Sequence, residues 1–124
     1  NINFALDLGY KEYLSHQIYA SADFLLMPSR VEPCGLNQMY SMRYGTIPIV
    51  RYTGGLRDTV QDISTGGAGL NFTFPGADDA VHAIKRALHI YSQKDLMKGL
   101  IYSNMSFDFS WEKSAKKYLE MYNY

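Results

Sequence analysis

Two short runs, Phe24 to Met27 and Ile47 to Arg51, are separated by one loop and one stretch with helical spacing. Runs of this length, bounded by turn residues, read as buried strands rather than helices. Strands that alternate with helices through short links argue a parallel sheet with helices on its faces. The flanking segments continue the pattern. A helix is predicted over Tyr10 to Ala20, with Tyr10, Tyr13, Leu14 and Ile18 near one face. A second follows from about Gly35 to Tyr44, with Leu36, Met39 and Tyr40 at i, i+3 and i+4, and Gly45 suits the left-handed residue just past its end. Thr53-Gly54-Gly55-Leu56 reads as a tight loop, and order resumes at Asp58-Thr59-Val60. Leu70, Phe72 and Phe74 alternate with Asn71 and Thr73, a half-buried strand closed by Pro75-Gly76.

The C-terminal half is helical. Ala77, Ala80, Val81, Ile84, Leu88 and Tyr91 mark an amphipathic helix, with Asp78 and Asp79 in its first turn. A further helix is expected from about Lys94 to Asn104, weakened by Gly99. Ser110 caps a last helix bearing Trp111, Ala115, Tyr118, Leu119 and Tyr122 on one stripe. At the other end, Ile2, Phe4, Leu6 and Leu8 alternate as in a strand, with no initiator Met before them. That opening reads as a piece of a longer polypeptide.

Composition narrows the function. At 124 residues the chain suits one domain with one core. Twelve Lys and Arg balance twelve Asp and Glu, which gives no basic excess for nucleic acid. One cysteine forms no internal disulfide, so a reducing compartment is the simpler setting. No apolar stretch approaches the ~20 residues that span a bilayer, and no leader pattern is visible. His82 and His89 lie seven apart, outside the i, i+4 spacing of a metal pair, so no metal site is expected.

The chemistry concentrates in residues 28 to 40. Glu32-Pro33-Cys34-Gly35 sits in the loop between the first predicted strand and the helix after it. In an open α/β sheet, the loops leaving the C-terminal ends of strands are where ligands bind. The helix start offers unpaired N–H groups suited to an anion. A carboxylate beside such a cradle suggests a sugar next to a nucleotide diphosphate.

The string from Ala22 to Val60 resembles the bacterial glycogen synthase and plant starch synthase family. The family pattern S-R-F-E-P-C-G-L-T-Q is matched by Ser29-Arg30-Val31-Glu32-Pro33-Cys34-Gly35-Leu36-Asn37-Gln38. Tyr44-Gly45-Thr46-Ile47-Pro48, Thr53 to Val60, Gly67-Ala68-Gly69-Leu70 and Phe109-Ser110-Trp111-Glu112 follow in the family's order. Val31, Asn37 and Ser21 depart from its usual Phe, Thr and Gly. The resemblance implies a Rossmann-like α/β sheet, part of the C-terminal nucleotide-sugar-binding domain of a two-domain GT-B glycosyltransferase. Residues 1–124 would be an incomplete form of that domain. The family's N-terminal domain, with its Lys-x-Gly-Gly-Leu loop, and its Arg and Lys diphosphate clamp have no counterpart in this sequence.

What the resemblance implies about activity is transfer of glucose from ADP-glucose to an α-1,4-glucan with retention of configuration. This chain would be a donor-site fragment, inactive alone, with the missing N-terminal domain as its partner. Glu32 is carried to the carboxylate that holds the donor sugar's hydroxyls; its rival reading is a solvated loop Glu. The amides of Gly35, Leu36 and Asn37 would face the diphosphate and sugar. Cys34 is read as a small pocket-lining residue rather than a nucleophile. Tyr10 would lie against the adenosine, although its spacing equally fits a core aromatic. Thr53, Gly54 and Gly55 would close over the donor, or form a plain turn. Tyr40 and the other tyrosines are read chiefly as core. No cofactor, nucleic acid or membrane partner is implied, and the compartment would be the cytoplasm, or the plastid in a plant. The alternatives are a transferase of the same fold using UDP-glucose or another acceptor, and a non-catalytic nucleotide- or glucan-binding module.

Overall fold

The computed structural model describes residues 3–122. Three parallel strands form one sheet in the order β1 (Phe24–Met27), β2 (Ile47–Arg51), β3 (Leu70–Phe72). Helix α1 (Glu12–Ser21) precedes β1. Helix α2 (Asn37–Arg43) connects β1 to β2, and the short α3 (Gly54–Thr59) starts the connection to β3. Helices α4 (Ala77–Tyr91), α5 (Lys94–Ser106) and α6 (Trp111–Tyr122) follow. This is the expected parallel α/β sheet flanked by helices, with β1 and β2 at their expected bounds.

Period-two alternation in β2 sorts the core onto two faces. Ile47 and Ile49 face one side with Leu70, Phe72, Ala83, Ala87, Ile90, Met97 and Leu100, so α4 and α5 cover that face. Val50 faces the other with Met27, Met42, Leu56 and Val60, beneath α2 and α3. Proline is unusual in a central strand because it removes a ladder donor. Pro48 escapes the penalty by position. The Ile47 N–H faces β1 and donates to the Asp23 carbonyl at 3.0 Å. By alternation the Pro48 nitrogen faces the β3 side, one residue before the first β2–β3 pair, Ile49 with Leu70. Gly45, at φ 84°, ends α2 as expected, and the Thr46 hydroxyl reaches the Tyr19 and Ala22 carbonyls, fastening α1 to the start of β2.

Several expectations are corrected. Residues 3–8 form no strand, and Phe4, Leu6 and Leu8 are exposed; Ile2 lies outside the described residues. Alternation without a neighbouring strand provides no ladder to hold it. Helix α1 buries Tyr19, while Tyr10, Tyr13 and Ile18 stay exposed. Helix α2 begins at Asn37 and buries Gln38, Ser41 and Met42 instead of Leu36 and Tyr40. Helix α4 turns Ala83, Ala87 and Ile90 inward, because small side chains allow it close to the sheet, and leaves Val81, Leu88 and Tyr91 exposed. Strand β3 stops before Phe74. Thr53 to Leu56 is not a free-standing turn but the start of α3. On α6, Trp111, Tyr118, Leu119 and Tyr122 are all exposed.

One ion pair anchors the turn between α3 and β3. Arg86 of α4 donates both terminal nitrogens to Asp62, at 2.6 and 3.1 Å, and the Ser64 and Asn71 amides add bonds at 2.9 and 2.7 Å. Burial raises the Asp62 pKa, but these donors outweigh it and hold the carboxyl well below the usual range. A lowered carboxyl pKa stabilises the fold above the unfolded-state value of about 4. That contribution is lost as pH falls through the folded value. Arg86→Met is therefore expected to cost about 2 kcal/mol at neutral pH. The deficit should shrink in acid unfolding series below about pH 4.

Candidate active site

The loops that leave β1 and β2 meet at the C-terminal edge of the sheet, where a parallel sheet places its ligands. Their contact is main chain against main chain. The Gly55 N–H donates to the Glu32 carbonyl at 3.0 Å. A Cβ on Gly54 would lie 1.9 Å from the Glu32 carbonyl oxygen, and one on Gly55 would lie 1.9 Å from that of Cys34. Gly54 and Gly35 also have positive φ, 44° and 75°. Only glycine fits such a backbone at such a distance.

Gln38 ties the loop down from below. Its side chain is fully buried. Its Nε2 donates toward the carbonyls of Cys34 (3.2 Å) and Gly35 (2.9 Å) and the Thr59 hydroxyl (3.1 Å). Thr59 Oγ1 in turn donates to the Gly55 carbonyl at 2.6 Å. The amide thus joins the Glu32 loop, α2 and α3 in one network. Gln38 Oε1 has no partner among the described residues.

Glu32, Cys34 and Gly35 on one loop and Thr53, Gly54 and Gly55 on the other are brought together by these main-chain contacts. Glu32 is half-buried, with Ser29 Oγ 3.5 Å from its Oε2. The amides of Gly35, Leu36 and Asn37 donate to no carbonyl or side chain among the described residues. They are orphan donors, three to five residues after Glu32, at the loop-to-helix junction where an anion is best received. Cys34 is exposed.

Tyr10 and Asn37 share a smaller neighbouring cavity of about 270 Å³ with Glu12, Ser15, His16, Tyr19 and Tyr40. Asn37 links the two parts: it opens α2 beside the loop and lines this cavity. Its wall is aromatic, with the Tyr40 ring centroid 6.3 Å from that of Tyr19 and 6.4 Å from that of His16. Burial raises the Tyr19 phenol above its ordinary pKa. Tyr10 is exposed at the rim, so it is no core aromatic.

Sequence reasoning missed Gln38 and Thr59, although both lie inside the matched motifs. Their partners are 21 residues apart, a separation that local patterning does not reveal. A broader cleft of about 770 Å³, lined by Arg57, Asp62, Asn71, Arg86 and Phe109 among others, contains none of the expected site residues. Among the described residues, no three His, Cys, Asp or Glu side chains converge as metal ligands, and no helix is long and apolar enough to cross a membrane.

The fold agrees with comparisons to known proteins. The family model described as "Glycosyl transferases group 1" matches residues 5–101. The chain is 50% identical over 121 residues to a glycogen synthase of Flavobacterium johnsoniae, covering 98% of this chain and 26% of that protein. It is 47% identical over 120 residues to a glycogen synthase of Aquifex aeolicus, covering 97% and 26%. The catalytic domain of starch synthase IV from Arabidopsis thaliana, solved with ADP and acarbose, superposes with a TM-score of 0.85. That match has 44% identity and covers 94% of this chain and 25% of that one. A sucrose-phosphate synthase from Thermosynechococcus elongatus superposes at 0.65 with 28% identity. The chain thus spans about a quarter of the length of these relatives. Sheet, helices and motif order together match the C-terminal region of GT-B transferases, and the chain belongs to the group 1 glycosyltransferase family.

Proposed function

We propose that this chain is the donor-side part of a retaining glucosyltransferase that elongates an α-1,4-glucan from ADP-glucose. The observation that carries the reading is that Glu32 and the amides of Gly35, Leu36 and Asn37, which have no hydrogen-bond partner among the described residues, stand on one loop that Gly54 and Gly55 hold from the side. Glycosyl transfer passes through a sugar with developing positive charge and a departing diphosphate with growing negative charge. Glu32 accepts hydrogen bonds from the sugar hydroxyls and stabilises the first charge. The three amides receive the second. Cys34 lines the same surface, and Thr53, Gly54 and Gly55 close over the sugar–phosphate end. The Tyr10 rim and the aromatic cavity beside it take the nucleoside. Two comparisons support the donor and acceptor: the bacterial relatives are glycogen synthases, and the starch synthase domain was solved with ADP and acarbose.

Residues 1–124 are then the later part of a C-terminal nucleotide-sugar domain, acting with an N-terminal domain of the same enzyme in the cytoplasm, or in the plastid of a plant. Two measurements test this. In the full-length enzyme, ADP is expected to compete with the donor at least about tenfold better than UDP; a preference for UDP contradicts the assignment. The purified 124-residue chain is expected to elongate no glucan, because one side of the reaction is missing. Incorporation of labelled glucose by the chain alone overturns its reading as a half-site.

A further inference from the structure

We infer that Arg51, the last residue of β2, is the positioning residue that fixes the Glu32 loop over the donor, an inference that rests on the role proposed for Glu32. Its guanidinium reaches across three strand ends. Nε donates to the Ser29 carbonyl at 2.7 Å, Nη2 donates to the Arg30 carbonyl, and Nη1 reaches the Thr73 carbonyl at 3.4 Å. Ser29 and Arg30 stand three and two residues before Glu32, and the Ser29 hydroxyl itself points at the Glu32 carboxylate. Thr73 follows the last residue of β3.

The chemistry of arginine explains the choice of residue. A planar fork with five N–H donors serves several carbonyls in one plane, whereas a lysine ammonium is a compact point charge on a flexible stem. Among the described residues no carboxylate lies within ion-pair distance of Arg51. Its charge is directed at main-chain oxygens, not at a counter-ion. Two of those oxygens, on Ser29 and Arg30, belong to a loop that the sheet ladder no longer supports, since β1 ends at Met27. The Glu32 loop is therefore held at two points: Gln38 and Gly55 grip the segment from Glu32 to Gly35, and Arg51 grips the segment before it. Without Arg51 the first grip remains and the second is lost, so the loop stays folded while the carboxylate loses its fixed direction.

A double-mutant cycle in the full-length enzyme tests this. Arg51→Met keeps the apolar stem and removes the donors. It is expected to lower kcat by about tenfold to a hundredfold, the cost of small misplacement. KM for ADP-glucose should change by less than about threefold. Arg51→Lys should restore only part of the rate. In a Glu32→Gln background, Arg51→Met should cost less than about threefold more, because the group it positions is already disabled. An equal loss in both backgrounds, or a wild-type rate in Arg51→Met alone, overturns the inference. Should Arg51→Met fail to fold, Arg51→Lys carries the same cycle with the same criteria. A wild-type rate in Glu32→Gln alone identifies a different failure: the role of Glu32 falls, and the positioning role falls with it.

Discussion

Replacing Glu32 with Gln in the full-length enzyme is expected to lower kcat by about a hundredfold to a thousandfold and to leave the fold untouched. The two halves of that expectation come from different atoms of one residue. The backbone carbonyl of Glu32 accepts the Gly55 amide and so ties its loop to α3. The carboxylate has only the Ser29 hydroxyl, at 3.5 Å, among the described residues. Gln keeps the shape and the carbonyl and removes the charge. Its effect on stability should stay within about 0.5 kcal/mol. Since the lost stabilisation belongs to charge that develops only in the transition state, kcat falls and KM for the donor moves little. Steady-state kinetics with thermal melts of the same preparation check both halves.

The opposite pattern, loss of fold before loss of chemistry, is expected at Gly55. A methyl there would sit 1.9 Å from the Cys34 carbonyl oxygen and 2.5 Å from its carbon and Cα. All three are backbone atoms and none can rotate aside. Withdrawal of α3 would break the Gly55–Glu32 hydrogen bond and expose Leu56, which is fully buried. Gly55→Ala should therefore destabilise by about 4 kcal/mol or more, in the exceptional range for a single substitution. Gly99 gives the control. A methyl there meets nothing within 4 Å, and the residue lies inside α5. Gly99→Ala should stabilise by about 0.5–1 kcal/mol through helix propensity and reduced unfolded-state freedom. Urea unfolding of both variants separates steric exclusion from backbone propensity.

These contrasts mark how far the amino-acid pattern reaches. Strands β1 and β2 were legible because each is a short run bounded by turn residues. Glu32 and Gly35 stand out as candidates in the sequence because their chemistry is contiguous. The buried face of α2 was not. Gln38 and Ser41 are polar, so a search for an apolar stripe passes them over; Gln38 is buried because its amide satisfies carbonyls of the Glu32 loop. Thr53 to Gly55 looked like a turn because glycines disfavour helices, yet α3 starts there because only glycine tolerates the neighbouring main chain. Helical period was right for α4 and α6 and the face was not settled by it. In α4 the sheet selects Ala83 and Ala87 for close approach, while no element among those described covers the Trp111 face of α6. The role of Arg51 is not visible in the sequence, because its partners lie 21 and 22 residues away.

The most direct measurement is a crystal structure of the full-length enzyme with an unreactive ADP-glucose analogue. The account predicts the Glu32 carboxylate within hydrogen-bond distance of the glucose hydroxyls, with the Gly35, Leu36 and Asn37 amides on the diphosphate and the base beside Tyr10. An analogue bound on another surface, with the Glu32 loop facing open solvent, would contradict it.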